Sequence, residues 1–152
     1  MSQIPPHKML LTYRYAEIIF DLTGVFVKNF LSEIDNRRTR EQMVQAARSG
    51  KQNIIEGTNL STTSRKSEIT LLDVARASLE ELTADYEDFL RQRNLAIWSK
   101  DDLRVQKMRQ TGFRLSDLRN LSDAGKSHYC GEFFADSLPP NNFSINQTRS
   151  RC

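Results

Sequence analysis

Apolar side chains recur along this chain at intervals of three and four residues, the spacing that gathers one face of an α-helix. The pattern predicts a first helix over 12–31, where Tyr15, Ile19, Leu22, Phe26 and Phe30 form one row and Phe20, Val27 and Leu31 a second. Two rows make a wider face than an edge helix needs, and so serve a broad core or a subunit contact. After a polar connection, Thr39 and Gln42 stand at the spacing of a capping box and open a second helix over 40–57. Its inward stripe is Met43, Ala47, Gly50, Ile54 and Gly57. A glycine inside a helix costs roughly 1 kcal/mol relative to alanine, so its place on the stripe predicts close approach of a neighbouring backbone. Ala47, Gly50 and Gly57 are therefore close-packing positions, although Gly57 can equally end the helix in a left-handed conformation.

The third helix, over 65–91 with Ser64 as its N-cap, carries the longest seam: Leu72, Ala75, Leu79, Leu82, Tyr86 and Phe89. At 1.5 Å per residue it spans about 40 Å, and partners of similar length are needed to cover it. A turn at 94–98 leads to a fourth helix over 100–121, with Ser99 and Asp102 at capping-box spacing and Val105, Met108, Gly112, Leu115 and Leu118 inward. Residues 1–11, with Pro5-Pro6, read as a leader. Residues 124–152 read as a weakly structured extension in which Tyr129, Phe133 and Phe134 favour a short helix. No segment alternates as a strand does. Four helices with short connections predict an all-α, antiparallel up-down-up-down four-helix bundle over 12–123.

Composition narrows this picture little. The 152 residues, 38% hydrophobic and 27% charged, suit one globular domain. The most apolar stretch, 18–31, is interrupted by Asp21, Lys28 and Asn29, so no membrane span is expected. Cys130 and Cys152 give no disulfide framework, and the N-terminus has no signal-peptide pattern, so a reducing cytoplasmic location is expected. The net charge of +3 permits an anionic partner without demanding one, because the third helix is acidic and the positive excess flanks it.

The run Gln42-Met43-Val44-Gln45-Ala46-Ala47-Arg48-Ser49-Gly50-Lys51-Gln52-Asn53-Ile54-Ile55-Glu56-Gly57 resembles the signature of four-helix-bundle proteins encoded in intervening sequences of bacterial 23S ribosomal RNA genes. So do Ser67-Glu68 and the later run Leu71-Leu72-Asp73-Val74-Ala75-Arg76-Ala77-Ser78-Leu79-Glu80-Glu81-Leu82. With the first helix, the resemblance covers roughly residues 12–98. It implies a small bundle assembled as a homo-oligomeric, pentameric ring with no enzymatic activity. A related accessory protein of diversity-generating retroelements binds nucleic acid and a reverse transcriptase through a basic surface. This chain departs from that pattern in its small basic surplus, its acidic third helix, and Ala77 where many relatives have glycine.

Candidate chemistry is sparse. Asn53 and Glu56 can share a helix face, Arg76 and Glu80 are an i,i+4 pair, and with Glu81 these residues form a candidate polar clamp between the second and third helices. Two basic groups are candidates for phosphate contacts: Arg37, Arg38, Arg40, Arg48 and Lys51, and on the fourth helix Arg104, Lys107 and Arg114. His7 and His128 are far apart, Cys130 lacks a recognisable general-base constellation, and Gly50-Lys51 lacks the strand-to-helix setting of a phosphate loop. No catalytic residue, metal site or cofactor is therefore expected. The leading expectation is a non-enzymatic oligomeric scaffold or protein-interaction module. The alternative is a sequence-nonspecific RNA- or DNA-binding accessory protein, which the resemblance extends to assisting a reverse transcriptase.

Overall fold

The structure is a computed structural model that describes residues 4–31 and 34–118. These residues are all-α, with a short α1 (Pro6–Met9) and four long helices: α2 (Leu11–Phe30), α3 (Arg37–Leu60), α4 (Arg65–Gln92) and α5 (Leu103–Leu118). A single 3-10 turn, Ile34–Asn36, precedes α3. Helices α1 to α4 belong to one compact unit ending at Ile97, and α5 belongs to a second that starts at Trp98. None of the described helices is long and apolar enough to cross a membrane. The predicted short helix around Tyr129–Phe134 lies outside the described residues.

Local sequence explains most helix ends, with two corrections. Ser64 caps α4 as expected, its hydroxyl accepting from the Ser67 amide at 3.3 Å, an arrangement that typically contributes about 1 kcal/mol. At α3, however, the N-cap is Asn36 rather than Thr39, because the 3-10 turn starts the winding early. On α5 the cap is Asp102 rather than Ser99: its carboxylate accepts from the Arg104 amide at 2.8 Å. Helix α4 ends where Asn94 takes a left-handed conformation (φ 54°), allowing the Leu95 amide to reach back to the Leu90 carbonyl at 2.9 Å. Gly57 has no such role. It lies inside α3, which continues to Leu60.

In the first unit α2, α3 and α4 run up-down-up. The ends of α2 fix its direction against α3: Tyr13 and Ala16 cluster with Ile54, while Val27 and Leu31 cluster with Met43 and Ala47. Helices α3 and α4 approach most closely, because their contact is made by small residues. A Cβ on Gly50 would stand 2.8 Å from Leu79, and one on Gly57 would stand 3.4 Å from the Glu68 carbonyl. Across the α2–α4 contact the opposite device operates. Phe26 and Phe30 reach Tyr86 and Phe89 edge-on, with ring centroids 4.8 to 6.2 Å apart.

The stripe Met43, Ala47, Gly50, Ile54 and Gly57 is buried throughout. On α2 the buried line differs from the apolar row. It runs through Tyr13, Ala16, Thr23 and Val27, with Tyr15 and Leu22 only half-buried. Thr23, fully buried, is polar and drops out of an apolar pattern, yet its hydroxyl is satisfied by the Tyr86 hydroxyl at 3.0 Å.

Candidate functional site

The proposed polar clamp is not assembled as one cluster. Asn53 folds back along its own helix, donating to the Ser49 carbonyl at 2.9 Å and to the Ser49 hydroxyl. Arg76 and Glu80 pair at 3.1 Å, but both are well exposed. Their pairing is a surface contact of small energetic weight. Glu56 is exposed and has no hydrogen bond or ion pair among the described residues. Register explains the separation. The hydroxyls of Ser49 and Ser78 bond at 3.0 Å and set the two antiparallel helices level there. Glu81 then lies level with Ala46, whereas Glu56 lies about ten residues, or roughly 15 Å, farther along α3.

The basic residues of α3 divide by what already holds them. Arg37 pairs with Glu41 at 2.9 Å, which raises the guanidinium's pKa and lowers that of the carboxyl. Arg40 donates to the Leu31 carbonyl at 3.2 Å, so its charge sits at the C-terminal end of α2, where the helix dipole favours a cation. Lys51 lies over the Phe20 ring at 4.2 Å. Arg38 and Arg48 are exposed, and neither has an acidic partner among the described residues.

The second unit shows the same division. Arg104 is held in a fork by Asp102 and stacks on Trp98, its guanidinium 3.9 Å from the ring centroid. The Arg104 side-chain hydrogen bond, followed by the backbone one, holds the Asp102 carboxyl down to about 2. Lys107 and Arg114 are exposed on α5. Arg104, Lys107 and Arg114 do share a helix, but the Arg104 charge is already paired with Asp102.

Two features escaped the sequence reading. One is a shallow groove of about 400 Å³ between α3 and α4, lined by Arg38, Gln42, Gln45, Ser49, Ser78 and Glu81, with Glu41 and Ala46 completing its wall. Its residues are polar positions of two helices, and only the α3–α4 register brings them together. The other is a collar of exposed aliphatic residues at one end of the first unit. Met9 ends α1, Leu10 joins it to α2, Leu11 starts α2, Leu60 ends α3, and Ile69 and Leu72 lie in the first turns of α4. The antiparallel order puts these three helix ends together, beyond the inner cluster of Tyr13, Ala16, Ile54 and Ala75. Leu72 was expected in the seam, and it does touch the Gly57 position, but it remains 38% exposed.

Among the described residues no group of three His, Cys, Asp or Glu side chains could hold a metal ion. His7 packs edge-on against Tyr13, its pKa lowered by burial and then by Lys8. His128 and Cys130 lie outside the described residues. Comparison with protein-family models, curated proteins and solved structures returns no match.

Proposed function

We propose that this chain is a non-enzymatic helical scaffold that acts in the cytoplasm by assembling with copies of itself. The observation that carries this reading is the aliphatic collar, in which Met9 is 62% exposed and Ile69 51%. Scattered exposed apolar residues are ordinary on a monomer, but several drawn to one end of a unit by its helix ends are the kind of surface that association buries. The signature-like runs in α3 and α4 support a place in the intervening-sequence family, and with it a ring of five copies. Light scattering on the full chain tests the reading. Mass should exceed 17.6 kDa, the mass of one copy.

A second reading, backbone-dominated binding of RNA or DNA, draws on Arg38, Arg48 and Lys107, which are exposed and without an acidic partner among the described residues. Repetition around an oligomer would multiply even these few charges, two in the first unit and one in the second. Such binding must weaken steeply with salt. Titration against RNA and DNA at two salt concentrations separates the readings, and a multimer with no affinity at low salt favours the scaffold.

A further inference from the structure

The α3–α4 groove lies apart from the collar, and its charges are arranged in a way that one copy cannot use. Arg38 marks one end and Glu81 lies toward the other, and neither has a partner of opposite charge among the described residues. Glu41, the remaining acid of the groove wall, is already engaged by Arg37. Glu81 also sits one turn from Asp85, whose carboxyl is pushed up by its own burial and then by the charges of Glu81 and Asp88. A cation brought to Glu81 would therefore relieve a repulsion as well as make a pair.

The spacing says where such a cation can come from. The Ser49–Ser78 bond fixes the level of the two helices, which places Glu81 level with Ala46 of α3. Arg38 is eight residues from that level, about 12 Å along the axis. The midpoint falls at Gln42, whose amide both donates and accepts and can pair with its own copy. A two-fold axis through Gln42, perpendicular to α3, carries Arg38 onto the level of Glu81 and Glu81 onto the level of Arg38. Such self-complementarity is what an isologous interface requires. The floor favours close approach, since Ala46, Ser49 and Ser78 are all small.

We propose that the α3–α4 groove is a two-fold contact between two copies of this chain, with Arg38 of each meeting Glu81 of the other across an axis at Gln42. It rests on the self-association proposed above and assigns a second surface to it. Sedimentation velocity on the full chain carrying Ile69→Glu, which disables the collar, should give a two-copy mass. Arg38→Glu and Glu81→Arg should each raise the dimer Kd at least about tenfold, because each turns two attractions into two like-charge contacts. The double variant, Arg38→Glu with Glu81→Arg, should restore the dimer. Both positions are exposed, and helicity by circular dichroism checks that the variants fold. A one-copy mass for Ile69→Glu, or a dimer indifferent to both reversals or not restored by the exchange, overturns the groove contact. The wild type measured alongside separates the two proposals: if it is multimeric when these results appear, only the groove fails. If it has the mass of one copy at every concentration, self-association fails as well.

Discussion

Both ends of the α2–α3–α4 unit leave aliphatic side chains exposed, but one is knitted by a cluster of aromatic rings and the other is not. At the end formed by the C-termini of α2 and α4, half-buried aromatic rings pack on one another, while Ile34, Leu95 and Ile97 beside them stay exposed. Phe26, Phe30, Tyr86 and Phe89 interlock over Leu31, Met43 and Ala47, which are at most 2% exposed. At the opposite end an inner layer of Tyr13, Ala16, Ile54 and Ala75 is closed, but the collar around it is not. The difference teaches that burial and exposure of apolar surface have separate tasks here. The exposed side chains of the collar, Met9 and Ile69 above all, should contribute less to the fold than the aromatic cluster, so substitutions at the two ends should affect different measurements.

The largest effect on stability is expected at Met43, fully buried in the larger cluster. Met43→Ala should cost about 2–5 kcal/mol, read by denaturant unfolding, with no change in assembly for whatever remains folded. Gly50→Val should come next, at about 1–3 kcal/mol, because the new side chain overlaps Leu79, and Gly50→Ala should cost less. Tyr86→Phe removes the partner of the buried Thr23 hydroxyl and should lower stability by about 1 kcal/mol. Thr23→Val in the same chain should recover part of that loss, since both polar groups are then gone. At the collar Leu11→Glu should change unfolding free energy by no more than about 0.5 kcal/mol, as befits an exposed position. A large loss there would erase the contrast between the ends.

Periodicity is enough to recognise helices, and the stripe of α3 is legible because its members are apolar or glycine, although buried Ala46 beside it falls outside the pattern. The buried line of α2 was less legible. Thr23 lies at its centre, and nothing local marks a threonine that will meet a tyrosine 63 residues away. The starts of α3 and α5 shifted because several residues near each could cap, and the choice between Asn36 and Thr39, or Asp102 and Ser99, depends on the preceding turn. The candidate sites were harder still. Charge spacing located Arg37, Arg40, Lys51 and Arg104 correctly on helix surfaces but said nothing of Glu41, the Leu31 carbonyl, the Phe20 ring or Asp102, which hold them. The groove and the collar belong to the pairing of helices, and a one-dimensional pattern carries the pairing only after the register is known.

The proposed division of labour is tested most directly by the mass and the unfolding midpoint of one variant, Ile69→Glu with Met9→Glu, both well-exposed positions, measured beside the wild type over a range of concentration. The expected result is a smaller assembly than the wild type's, with a midpoint that matches the wild type's at the lowest concentration and lacks its rise with concentration. An unchanged assembly, or an assembly lost only because the fold is lost, would contradict it.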